Sequence, residues 1–330
     1  MALRVKAVER LLKFNKNEND PGVWRYVMQP ELYTSLDQKK VIREANYTKA
    51  LKIVIIPSVF RIFAVDKSNK TNMTAQEVIR YMESLHDEKQ RRELMRFFKT
   101  APGEYGYGDE FLGIKVPQTR EIVKVAAKDT TLSEIPELLT CRWHEVRLCG
   151  LLILVWHFER LTAKRLVNDV EAIHKRDDIL MLYLKYAERA NNWDLVDLSA
   201  PKLLGHWLML PTMLPDGHAG LHKDYKLETL DELASSSCLW RQRMSIVCTW
   251  KTSQQGDASW CLRYAEVHLR HPHDLMHKAV GWMLREMGKR VSMDLLRDFL
   301  SQHASQMPRT TLRYAIEKMT NEERLYWMNI

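Results

Sequence analysis

Residues 191–197 read Asn-Asn-Trp-Asp-Leu-Val-Asp, and Ala-Pro follows at 200–201. Trp193 and Asp197 are four apart, so a helix presents an indole and a carboxylate from one face. A carboxylate beside an aromatic ring suits a cationic ligand, because the carboxylate supplies charge and the ring its negative π face. The surrounding polar residues need no function: Asn191 or Asn192 is a good N-cap, and Asp194 in the first turn complements the helix dipole. Pro201 gives no N–H to the carbonyl of Asp197, which predicts a kink at that point. On spacing alone, a core tryptophan beside a capping carboxylate explains the same residues.

Three cations stand at or beside apolar helical stripes. Arg147 lies in "WHEVRLCGL", Arg243 in "LWRQRMSIVC" and Lys278 in "LMHKAVGWM". A buried, unpaired cation is very costly, so each must meet a carboxylate, backbone carbonyls or an anionic partner. One reading is an internal ladder of arginines and aspartates. The other is a row of cations following a phosphate backbone.

Other chemistry is not supported. The chain has no P-loop, no dinucleotide-binding glycine pattern, no HExxH and no GxSxG. "HPHD" at 271–274 has no cysteine or histidine cluster to complete a metal site, so neither metal nor cofactor is expected. The five cysteines form no CxxC pair and are odd in number. With no secretory signal at the start, they suit a reducing cytoplasm. The longest apolar stretch, 53–65, is short and carries Pro57 and Arg61, so no membrane span is expected.

The elements that must carry these residues are helical. From Met73 onward, stretches of 3.6-residue periodicity recur to Ile330. Thr74 caps the first, and Pro117 opens another in a favoured first-turn position. Helices predicted at 143–156, 177–190, 239–250, 273–288 and 308–319 restart about every 35–40 residues where neighbours are close, with shorter helices between. This spacing predicts an all-α, HEAT-like helical-repeat solenoid with a concave face.

Charge divides the chain differently. Residues 1–72 hold 14 Lys and Arg against 7 Asp and Glu, whereas 73–330 hold 36 against 35. The formal net charge of +8 therefore says little about the larger part, where an anionic partner must meet a local patch.

"FLGIKVPQTR" (111–120), "NNWDLVDLSAPKLLG" (191–205), "LWRQRMSIV" (239–247) and "HKAVGWMLREMGK" (277–289) resemble, in order, the motifs of the AlkD-type DNA alkylation repair glycosylases. The resemblance runs over residues 74–330. It implies a HEAT-like solenoid whose concave face grips double-stranded DNA with alkylated bases, and cleavage of the N-glycosidic bond of cationic N3- or N7-alkylpurines. By motif, it implies that Asp197 is the catalytic carboxylate, Trp193 and Trp282 the active-site tryptophans, and Arg243 a DNA-backbone contact. Arg147 and Lys278 are the further DNA-binding candidates. A monomer is expected, cytoplasmic and nucleoid-associated when bound. A silent DNA-binding module of the same fold is the alternative. Ahead of "FLGI" the family pattern carries a tyrosine, and either Tyr105 or Tyr107 in "GEYGYGD" is its loose counterpart.

The first 45 residues resemble instead the start of HU-like DNA-binding proteins, without the β-arms. Residues 46–72 resemble nothing. The expected organisation is a truncated HU-like segment (1–45), an unstructured junction (46–72) and the repeat domain (73–330), with the leader poorly folded for want of its own core.

Overall fold

The structure, a computed structural model, describes residues 73–330 in full and, before them, the backbone of four strands. These are β1 (Leu12–Lys16), β2 (Trp24–Met28), β3 (Leu51–Ile55) and β4 (Ile62–Asp66), antiparallel in the order β1-β2-β4-β3. The last two fall within 46–72, where the sequence predicts no regular structure. The expectations for 1–45 and for a poorly folded leader otherwise lie outside the described residues.

The second unit, Thr74–Ile330, is helical as expected. It opens with α1 (Ala75–Glu83), α2 (Glu88–Phe97), α3 (Val116–Ala126) and α4 (Ile135–Thr140). Next come α5 (His144–Arg160), α6 (Val170–Lys185), α7 (Trp193–Ser199) and the single turn α8 (Leu204–Trp207). A two-residue ribbon, β5 (Thr212–Met213) with β6 (Ala219–Gly220), precedes α9 (Lys223–Ser235), α10 (Leu239–Val247), α11 (Thr249–Gln254) and α12 (Ser259–Val267). The chain finishes with α13 (Asp274–Arg290), α14 (Met293–His303), α15 (Arg309–Ala315) and α16 (Asn321–Met328). Among the described residues, no helix is long and apolar enough to cross a membrane.

Local chemistry sets several boundaries. Thr74 and Glu77 form a full capping box, with the Glu77 carboxylate accepting from the Thr74 N–H at 2.8 Å. The single helix predicted at 239–250 breaks at Cys248 into α10 and α11. The hydroxyls of Ser245 and Thr249 bond back to the carbonyls of Gln242 and Ile246, which competes with the helical ladder there. Pro201 does not kink α7. The helix ends at Ser199 with Ala200 as its C-cap, so the proline stands where the chain has already left the helix.

The core explains how the site is held. Every residue of α5 from His144 to Val155 is buried, as a helix walled on all sides must be. It packs against α3 and α4 on one flank and α7 on another. From there a row runs through the molecule: α7 packs on α10, α10 on α13, and α13 on α15. Within the row, α13 and α15 approach closely at Gly281, where a Cβ would lie 2.4 Å from the carbonyl oxygen of Thr311. The helices α5, α7, α10 and α13 thus bring Arg147, Asp197, Arg243 and Lys278 onto successive elements of one row.

Candidate active site

The site begins at the start of α7. Asn192 caps the helix, its side-chain oxygen accepting from the Trp193 N–H at 2.9 Å. The Trp193 indole is half-buried, with ring centroids 5.4 Å from Phe98 and 5.9 Å from Phe97. Its side chain also lies beside the phenol of Tyr105, whose pKa burial raises. Tyr105 meets Trp240 edge to face at 6.3 Å. Tyr107, by contrast, is 68% exposed, so of the two tyrosines it is Tyr105 that joins the cluster. The loop reaches this position because residue 106 is glycine: a Cβ there would lie 2.3 Å from the Phe98 carbonyl oxygen.

One turn along α7, Asp197 meets Arg243 of α10. The guanidinium takes both carboxylate oxygens, Nε to Oδ1 at 2.9 Å and Nη2 to Oδ2 at 2.8 Å. Its remaining terminal nitrogen donates to the Leu275 carbonyl in the first turn of α13 at 2.6 Å. One arginine therefore ties three helices of the row together. Burial lifts the Asp197 pKa above the usual carboxylate range, Arg243 pulls against that, and Asp194 adds to the rise. The Asp197 side chain keeps 15% of its surface exposed, while Arg243 keeps 5%. A carboxylate has about four lone-pair positions, and the fork uses two, so the exposed edge retains acceptor capacity.

Beneath this pair lies a network absent from the sequence-based expectations. His144 Nδ1 lies 2.7 Å from Asp109, and its Nε2 lies 3.0 Å from Asp194. Burial alone would pull the His144 pKa down, but the two carboxylates, Asp194 foremost, raise it to about 9. The ring is thus an imidazolium at neutral pH, and it stacks on Phe111 at 4.4 Å. Asp109 is itself held below the usual carboxylate range: burial raises it, and His144 and Arg147 more than reverse that. Among the described residues, Asp194 Oδ1 has no hydrogen-bond partner. Expected to serve only as a helix-start charge, Asp194 also fixes α7 on α5. The one sequence signal was the dense run of ionisable residues at 144–147, whose partners lie 35 and 50 residues away.

The cations divide. Arg147 is 2% exposed and is spent on Asp109 and on the carbonyls of Cys141 and Arg142, at 3.0 and 2.7 Å. Arg147 and Arg243 thus each meet a buried carboxylate inside the protein, Asp109 and Asp197 respectively. A desolvated guanidinium must be met by carboxylates or carbonyls of this kind. Lys278 differs: its side chain is 41% exposed, pairs with Asp274 at 2.7 Å and lies within electrostatic reach of Tyr105. Trp282 is half-buried one turn beyond Lys278, and among the described residues no ring contact joins it to Trp193. Among the described residues, no group of three histidine, cysteine or acidic side chains is placed to hold a metal.

A search of curated protein sequences finds no match. Among solved structures, one described as a predicted DNA alkylation repair enzyme from Enterococcus faecalis superposes with a TM-score of 0.51. It is 12% identical, and the alignment covers 72% of this chain and 97% of that one. At that identity the likeness concerns the fold. A model of the DNA alkylation repair enzyme family matches residues 78–319, leaving the N-terminal segment outside it. With most of its length so matched, the chain belongs to the DNA alkylation repair enzyme family.

Proposed function

We propose that the protein is a DNA glycosylase that hydrolyses the N-glycosidic bond of cationic N3- or N7-alkylpurines in duplex DNA. The observation that carries this reading is α7: a half-buried indole and a partly exposed carboxylate, one turn apart, with the carboxylate oriented by Arg243. Alkylation makes the base cationic and a good leaving group, so the enzyme's task is to stabilise the sugar left behind. As the C–N bond breaks, the sugar becomes oxocarbenium-like, and the exposed edge of Asp197 stabilises that charge and positions water. Trp193 and Trp282 supply π faces to the electron-poor lesion and sugar. Tyr105, beside Trp193, helps to set the angle of that indole. Lys278, the most exposed of the three candidate cations, would meet a phosphate by exchanging its pairing with Asp274.

The HEAT-like repeat reading and a monomer bound along duplex DNA belong to the same proposal, supported by the helical row α5–α7–α10–α13. For residues 1–45 we propose a HU-like origin, on their resemblance in sequence, and for residues 1–72 a non-specific electrostatic contribution to DNA affinity, on the strength of their basic excess. The test of the catalytic reading is release of free 7-methylguanine or 3-methyladenine from methylated duplex DNA. Sequence-independent binding without base release would favour the silent DNA-binding module.

A further inference from the structure

Helix α2 has ten residues and none of them is buried. Near its end Phe97 is 61% exposed, yet the same ring meets Trp193 edge-on at 5.9 Å. The aromatic cluster of the candidate site therefore continues to the surface through Phe97. Two residues on, Lys99 adopts the left-handed conformation, with φ of 55°. The backbone has a reason to do so: the Lys99 carbonyl accepts from the Gly106 N–H at 2.9 Å, holding the loop that carries Tyr105. The side chain has none. Glycine is the ordinary residue just past a helix end in this conformation, because it has no Cβ to strain. The Lys99 amine is exposed, and Glu104 is a loose partner at 4.0 Å. Arg96 stands exposed on the same end of the helix, and both cations line an open groove with Gln90, Glu93, Leu94 and Phe97.

We propose that this end of α2 is a second contact to duplex DNA, in which Lys99 meets a backbone phosphate and Phe97 packs on the sugar or base edge beside the position served by Trp193. The proposal rests on the reading that the α7 site meets DNA. It explains why a residue that strains the backbone and a large ring that stays in water occur side by side. Continuity with Trp193 and the charge of Arg96 and Lys99 favour a nucleic acid as occupant, although Glu93 in the groove subtracts from that charge.

The test uses the full chain and undamaged duplex DNA over a range of salt, so it does not depend on catalysis. Lys99→Gly is expected to melt at or above the wild-type temperature, because the strain is relieved, while the salt slope of binding becomes shallower by about one. Phe97→Ala is expected to weaken binding about tenfold with the slope unchanged. Lys175→Ala on α6, whose amine pairs with Glu171, should leave both quantities as in the wild type. A wild-type slope for Lys99→Gly together with wild-type affinity for Phe97→Ala would overturn the proposal. Tighter binding by Phe97→Ala would also overturn it, since the ring would then be holding protein. Absence of duplex binding by the wild type would instead sink the reading beneath it.

Discussion

Arg243 grips Asp197 by both carboxylate oxygens, at 2.9 and 2.8 Å, and closes its reach on the Leu275 carbonyl at 2.6 Å. The residue that gives Asp197 its orientation therefore also locks α7, α10 and α13 in register. Position and chemistry are not separable at this point of the fold. A buried fork holds a carboxylate to within a narrow angle, which is what a charge-stabilising group requires.

Arg243→Ala leaves Asp197 with burial unopposed. We expect a loss of about 3–5 kcal/mol in urea unfolding, as for other broken buried ion pairs. Because the guanidinium is spent inside the protein, the salt slope of DNA binding by the folded fraction should not change. A slope shallower by one would show that Arg243 also reaches a phosphate.

His144 makes the fold sensitive to alkali. Its pKa is raised to about 9 in the folded chain, against about 6.5 for an ordinary histidine. The protonated ring is favoured by folding, so its stabilisation is complete below pH 6.5 and is lost as pH rises through 9. Wild type should lose on the order of 2–3 kcal/mol between pH 6.5 and 10 from this group. His144→Gln should begin less stable and show a flatter profile over the same window. Equal profiles from equilibrium unfolding would mean that His144 is not the group responsible.

Glu145 holds the strand of chain before α3. Its carboxylate accepts from the N–H groups of Leu112, Gly113 and Ile114, at 2.9, 2.9 and 3.1 Å. Glu145→Ala strands three buried donors and should cost at least about 3 kcal/mol. Hydrogen exchange should show these three amides losing protection before those of α13. Unchanged protection would place the anchor of this segment elsewhere.

The helical architecture was legible because periodicity and caps are local: Thr74, Pro117 and the stripe through Trp240 and Met244 each speak for themselves. The pairing of Trp193 with Asp197 was legible for the same reason, being one helical turn. What escaped was long-range. Nothing local in Asp109, His144 and Asp194 says that they meet, since two of the three lie within runs that already serve as helix starts. Arg147 and Arg243 showed the mirror problem: their place beside apolar stripes was visible, and the carboxylates waiting for them were not. The internal partners, Asp109 and Asp197, lie 38 and 46 residues away in the chain. Tyr105 and Tyr107 were likewise equal as letters, and only the close approach at Gly106 turns one inward.

The most direct measurement is single-turnover release of 7-methylguanine from methylated duplex DNA by wild type and by Asp197→Asn, with melting temperature and DNA affinity measured on both. The amide keeps the shape and one acceptor for Arg243 but removes the charge. The expected result is release by wild type and a loss of about 100-fold or more in the variant at similar DNA affinity. Equal rates would contradict the role of Asp197, and no release by wild type would contradict the glycosylase itself.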